Sequence, residues 1–252
     1  MDRLTYIGHS TTLLRLTGIS ILTDPMLRNW LGPLHRQGPA PSRSLPQTAD
    51  LILISHLHRD HLDIPSLRRF PVDTPLVIPR GASKWALKGG ARDIRELDVG
   101  ETVSFDGVEV TAVRAAHNGY RDRTWGERIQ PLGYLIDAGG RRIYFAGDTD
   151  LYDEMSELAP LDLALLPVWG WGASVGSGHL DPARAAKALE LLRPRLAVPI
   201  HWGTFYPAGL RRLRPEPLVE PPLEFARLAS PLAPTTEVRV LPPGSETSLE
   251  DR

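Results

Sequence analysis

The chain has 252 residues, 42% of them hydrophobic and 23% charged, enough to bury one sizeable core as a single domain and too apolar for disorder to be the default. Its formal net charge of −1 gives no electrostatic case for nucleic acid or an anionic membrane surface. It has no cysteine, which excludes disulfides and thiolate metal sites and leaves His, Asp and Glu to hold any metal.

The sequence opens without a basic segment followed by an apolar run, and no apolar stretch approaches the length of a membrane span, so a soluble cytoplasmic protein is expected. Leu4 to Ile7, Leu13 to Leu16 and Ile19 to Leu22 read as three short strands, parted by Gly8 and Gly18 as turn residues. His9 follows the first and Asp24 the third. Residues 25–50, with Pro33, Pro39, Pro41 and Pro46, read as a long irregular loop of the kind that faces a substrate. His35 within it is read as a surface residue.

Residues 51–63, LILISHLHRDHLD, carry the strongest signal: four apolar residues of a buried strand, then five metal-capable side chains within eight positions. In an extended segment side chains two apart point the same way, so His56 and His58 can grip one cation while Leu57 turns inward. Asp60 and His61, where the chain bends, are free to face a second. Neutral imidazole with one carboxylate suits zinc, manganese or iron better than calcium or magnesium.

Asp63 and Pro65 then begin a short helix over Ser66 to Phe70. Leu76 to Ile78 reads as a strand, Ser83 to Lys88 as a helix ended by Gly89 and Gly90, and Thr102 to Phe105 with Val108 to Val113 as a hairpin turning at Asp106 and Gly107. Further strands are expected over Leu132 to Ile136, Arg142 to Phe145, Leu161 to Leu166 and Arg195 to Ile200. A helix starts at Asp181 and Pro182, with Ala185, Ala188, Leu189 and Leu192 on one face. Residues 207–222 read as a Pro-rich loop, Leu223 to Leu228 as a short helix, Glu237 to Leu241 as a closing strand and 244–252 as a frayed end.

One pattern recurs: an apolar strand ends and His56, His117, Asp148 or His201 follows at once, which would place these side chains along one rim of a sheet. With the central cluster they make seven ligands, His56, His58, Asp60, His61, His117, Asp148 and His201. Seven suits two metals about 3.5–4 Å apart, bridged by a carboxylate.

The run His56-Leu57-His58-Arg59-Asp60-His61 resembles the HxHxDH signature of the metallo-β-lactamase fold superfamily, and His117, Asp148 and His201 resemble its remaining ligands. The likeness extends from YIGHSTTLLRL and ILTDP to HWGTF, words closest to the branch holding N-acylphosphatidylethanolamine-hydrolysing phospholipase D and ascorbate-phosphate lactonase. It implies a four-layer αββα sandwich, an α/β fold with metals at one edge. His56, His58 and His117 would hold one metal, Asp60, His61 and His201 the other, and Asp148 would bridge. Two features depart from relatives: no Cys is available as a ligand, and no additional N-terminal region precedes the first strand, which argues against a phospholipid substrate.

The expected function is a dinuclear metal-dependent hydrolase, with two divalent ions, zinc first and manganese or iron as alternatives. A bridging hydroxide, oriented by Asp60, would cleave a small phosphodiester, lactone or other ester. His179, closing the Gly-rich stretch GASVGSGH, is the candidate proton donor to the leaving group, and His9 and Asp24 the residues that fix ligand imidazoles. Trp169, Trp171, Trp202, Phe205 and Tyr206 follow metal-side strands and are expected to wall an apolar pocket. The partner is a small molecule. The alternative is a non-catalytic metal-binding protein of the same fold, though structural zinc sites need only four ligands.

Overall fold

The computed structural model describes residues 2–122, 126–170 and 176–250. The chain opens with the antiparallel strands β1 (Arg3–Gly8), β2 (Thr11–Leu16) and β3 (Ile19–Thr23), then a short hairpin of β4 (Trp30–Leu31) and β5 (Leu34–Arg36). Next come β6 (Leu51–Leu53), α1 (Ile64–Leu67), β7 (Leu76–Pro79), α2 (Ser83–Lys88) and β8 (Ile94–Leu97), whose strands run parallel to β3. The second half holds β9 (Thr102–Phe105), β10 (Val108–Arg114), β11 (Leu132–Ala138), β12 (Arg141–Phe145), β13 (Leu161–Pro167), α3 (Pro182–Leu192), β14 (Pro194–Ile200), β15 (Phe205–Pro207), α4 (Glu220–Leu232), β16 (Glu237–Val238) and β17 (Ser245–Ser248).

Two seven-stranded sheets result, ordered β17-β1-β2-β3-β6-β7-β8 and β16-β14-β13-β12-β11-β10-β9. The two-residue period of a strand sorts their side chains. On the first sheet Leu14, Ile21, Leu51, Leu53 and Val77 enter the large core shared with Val110, Tyr134, Ile143 and Phe145 of the second. Their alternates Leu13, Leu22, Ile52, Leu76 and Ile78 face the other way, into a smaller core with Leu67 of α1 and Ala86 of α2. Helices α3 and α4 pack on each other and on the far side of the second sheet, against β13 and β14. The order is therefore helix, sheet, sheet, helix, the sandwich expected from the sequence.

Strand parity brings the functional positions together. Because β1 is antiparallel to β2 and β2 to β3, β1 points the same way as β3 and its parallel neighbour β6. In the second sheet β10 is antiparallel to β11 and β11 to β12, while β13 and β14 run parallel to β12. The ends of β1, β3 and β6 thus lie at one edge of the first sheet, and those of β10, β12 and β14 at one edge of the second. Two sheets contribute, rather than the single rim anticipated. The edges are fastened across the sandwich by Leu132 N donating to Ser55 O (2.9 Å), Tyr134 Oη donating to Ile54 O (2.7 Å) and His201 N donating to His9 O (2.8 Å). Gly147 has φ +59°, and a Cβ there would sit 2.5 Å from Ser55 Cβ, so only glycine lets the strand ends approach.

Four expectations are corrected. Residues 25–50 are not wholly irregular: β4 and β5 join β15 in a small three-stranded sheet, with Tyr206 opposite His35. Residues 244–252 are not all frayed, since Ser245–Ser248 pairs with β1 in register. The last helix runs from Glu220 to Leu232, because two prolines fit its first turn and Phe225 and Ala229 bury on one face. The strand begun at Glu237 ends at Val238, and β8 is an element the sequence reading passed over. Among the described residues, no helix is long and apolar enough to cross a membrane.

Candidate metal centre

The chain leaves β6 through Ile54 and Ser55 and presents His56 and His58, buried, before the bend at Asp60 and His61. Leu57, between the two histidines, turns into the smaller core. His56 Nε2 lies 2.9 Å from His58 Nδ1, and His117 Nε2, at the end of β10, 3.2 Å from the same nitrogen. With Asp148 these form a set whose ligand atoms all lie within 4.8 Å of one another. Ligands of a tetrahedral zinc ion at 2.0–2.1 Å stand roughly 3.3–3.4 Å apart, close to what is seen.

A second set gathers His61, Asp60 and His201, and the structure adds His9 to it. Asp148 reaches this set as well: its Oδ2 is 3.3 Å from His61 Nε2 and 3.4 Å from His201 Nε2. Asp60 Oδ2 is 3.3 Å from His61 Nε2 and 3.8 Å from His201 Nε2. His9 Nε2 donates to that same Asp60 oxygen at 2.9 Å, so His9 holds a carboxylate, where an imidazole was expected.

The outward ring nitrogens are occupied by hydrogen bonds that fix each tautomer. His61 Nδ1 donates to Asp24 Oδ2 (2.6 Å), His117 Nδ1 to Gly178 O (2.5 Å) and His201 Nδ1 to Trp169 O (2.6 Å). Ser55 Oγ donates to Asp24 Oδ2 (2.6 Å), which leaves it to accept from His56 Nδ1 at 2.9 Å. Each of these rings keeps Nε2 as the inward lone pair, the arrangement a metal ligand needs.

For the first ligand set, electrostatics agrees with this. Burial first, then repulsion from His61, His58 and His117, holds His56 well below the usual histidine range, and burial takes His58 down to about 4. Burial also lowers His117 against the pull of Asp148. These imidazoles are therefore neutral, the ligating form. Burial alone would raise the Asp148 carboxyl, but the charges of His201 and His61 hold it well below the carboxylate range. His61 moves the other way: burial opposes its charge, but Asp148, Asp60 and Asp24 outweigh that and raise it well above the histidine range, so its Nε2 becomes a ligand only when a cation takes the place of its proton. Among the described residues, the buried atom Asp148 Oδ1 has no hydrogen-bond partner. Converging ring nitrogens, ionised carboxylates and an orphaned carboxylate oxygen fit divalent cations.

His179 stands beside this centre, its Nε2 3.6 Å from Asp148 Oδ2 and its ring centroid 4.6 Å from that of His117. It is placed by a tether the sequence reading missed. Gly178 N donates to Asp150 Oδ2 (2.9 Å), and Asp150 Oδ1 pairs with Arg184 Nη1 (2.8 Å) on the first turn of α3. Asp150 lies two residues past a ligand in GDTD, a spacing that offered a clue. Trp169, Trp202, Phe205 and Tyr206 are buried; Trp202 stacks on Tyr6 at 6.0 Å and its Nε1 donates to Pro199 O. Trp171 lies outside the described residues. A cavity of about 430 Å³ opens on His58 and Asp60, and its apolar wall is Leu31, Pro33 and Leu34, from the small hairpin.

A family model described as a β-lactamase superfamily domain matches residues 20–202. A metal-dependent hydrolase of Methanopyrus kandleri is 31% identical over 251 residues, spanning 96% of this chain and 97% of that protein. N-acyl-phosphatidylethanolamine-hydrolyzing phospholipase D 1 of Caenorhabditis elegans is 31% identical over 239 residues, spanning 84% of this chain and 67% of that protein. Among solved structures, a metallo hydrolase from the hyperthermophilic archaeon Ignicoccus hospitalis has a TM-score of 0.73 at 26% identity, over 100% of this chain and 99% of that one.

Proposed function

The chain belongs to the metallo-β-lactamase superfamily, and on that premise we propose that it is a dinuclear metal-dependent hydrolase cleaving a small ester-like substrate, a phosphodiester or a lactone. The observation that carries this reading is the convergence of two ligand sets on Asp148, one through His56, His58 and His117, the other through Asp60, His61 and His201. When bound, two divalent cations supply Lewis-acid stabilisation and bring the pKa of coordinated water from about 16 toward about 7.

The residues do the rest. Asp60 Oδ2, steadied by His9 Nε2, is placed to accept a hydrogen bond from the attacking water and fix its direction. Asp24 holds His61 directly and His56 through Ser55, keeping their lone pairs aimed inward. His179, 20% exposed and beside Asp148, delivers a proton to the leaving group. Trp169, Trp202 and Tyr206 contribute apolar surroundings to the substrate side.

Steady-state kinetics on a chromogenic bis-aryl phosphodiester and an aryl lactone tests this. Asp148→Ala and His58→Ala are expected to lose nearly all turnover, and retained activity in either contradicts the proposal. His179→Gln is expected to slow substrates with poor leaving groups by about 100-fold and activated aryl esters little. Equal losses on both would remove the acid role.

A further inference from the structure

Arg121 is buried, 6% exposed, and makes no ion pair among the described residues. Its Nη1 donates to Leu57 O and, at 2.9 Å, to Leu62 O, one carbonyl within the run from His56 to His61 and one just past it, and its guanidinium lies 5.0 Å from the Trp85 ring centroid. Its Nε is buried without a hydrogen-bond partner. A buried cation lacking a carboxylate is costly and is normally matched by something. Burial, with the nearby Arg59 charge adding to it, lowers Arg121 to about 10, only partly offset by the more distant carboxylates of Asp122, Asp63 and Asp60.

The same side chain lines the cavity that opens on His58 and Asp60. The cavity's other charges are already committed. Arg59 Nε donates to Asp122 Oδ1 at 2.6 Å, and Asp60 belongs to the second ligand set. Arg121 is thus a buried cation without a direct ion pair among the described residues, in a cavity also lined by Leu31, Pro33 and Leu34. With Asp60 and Asp122 on the same lining, a single negative charge fits there better than a double one.

We propose that Arg121 is the anchor for a carboxylate carried by the substrate at a distance from its scissile bond, with an apolar arm between the two lying on Leu31, Pro33 and Leu34. This deepens the hydrolase reading and rests on it for the meaning of the cavity. The substrate class is an ω-carboxylated acyl or alkyl compound. A guanidinium is suited to this task, because its fork can keep the two backbone carbonyls and still offer a donor to the ligand.

Titration calorimetry on the metal-loaded protein, with adipic acid monoanilide against hexananilide, reads the anchor directly, since the two differ in the distal carboxylate alone. The acid is expected to bind the wild type about tenfold more tightly, as a charge-assisted hydrogen bond allows. That margin is expected to fall below about threefold in Arg121→Met and to return in part in Arg121→Lys. Equal binding of the two compounds by the wild type, or a margin that survives in Arg121→Met, overturns the anchor. Because Arg121→Met can also disturb the ligand loop, Leu34→Glu gives a second arm that leaves Arg121 in place. It is expected to weaken the acid more than the neutral anilide, and unchanged affinity for both overturns the placement in this cavity. Turnover of 4-nitrophenyl hexanoate is measured alongside: its absence in the metal-loaded wild type counts against ester hydrolysis and leaves the binding margin to be judged by itself.

Discussion

Asp24 accepts hydrogen bonds from Ser55 N (2.7 Å), Ser55 Oγ (2.6 Å) and His61 Nδ1 (2.6 Å) while wholly buried. One carboxylate therefore orients a residue of each ligand set, His61 directly and His56 by way of the serine. An amide cannot replace it, since its NH2 would face a donor. Asp24→Asn is expected to lose about 1–3 kcal/mol of stability and one of the two metals, read by thermal denaturation and by metal content after gel filtration. Wild-type values on both counts would remove Asp24 from this role. His9, Asp24 and His201 also have positive φ of 60°, 33° and 63°, uncommon outside glycine and typical of constrained functional positions. The candidate ligand residues could be singled out because His is scarce and clusters behind an apolar run. The partner each side chain takes was not, because it depends on which strand ends meet: His9 and Asp60 are 51 positions apart in sequence.

At the scale of elements, the segment before α3 is held by Asp150 and Arg184 and in turn holds His117 through Gly178 O. Asp150→Asn keeps the acceptor for Gly178 N but drops the charge facing Arg184. It is expected to lower kcat several-fold with little change in global melting temperature, and an unchanged kcat would show the tether to be incidental. Helix α2 shows a similar dependence on a distant residue. Its N-cap is Ala82, which has no capping group, and Glu96 from β8 accepts from Ser83 N (2.8 Å) and Ser83 Oγ (2.5 Å) instead. Burial would raise Glu96, but these bonds win and hold its folded pKa below the ordinary glutamate value. A lowered carboxylate stabilises the fold above its unfolded pKa and loses that contribution as pH falls through the folded one. Glu96→Ala is thus expected to cost about 1 kcal/mol at pH 7, with the gap to wild type shrinking below about pH 4.5 in denaturant titrations. A gap that stays constant as pH is lowered from 7 would contradict this. The range of α2 was legible from Ser83 to Lys88, but its capping was not, because β8 alternates too weakly to stand out.

For the molecule as a whole, the layer order followed from strands and helices that could be read locally, and the site from the rule that ligands gather where parallel strands end. Sequence periodicity alone did not reveal that two sheets meet at this edge, that the hairpin of residues 30–36 walls the cavity, or that residues 245–248 return to pair with β1. Each of these depends on pairing over long separations, where a short polar or Pro-rich segment becomes a strand only because a partner edge is waiting for it. The proposed hydrolase requires the two ligand sets to act as a pair of metal sites sharing Asp148. Metal content of protein purified without added metal, measured by mass spectrometry for the wild type, His58→Ala and His61→Ala, tests that most directly. Two metals per chain in the wild type and about one in each variant is the predicted result. One metal or fewer per wild-type chain after reconstitution, or two retained in both variants, would contradict it.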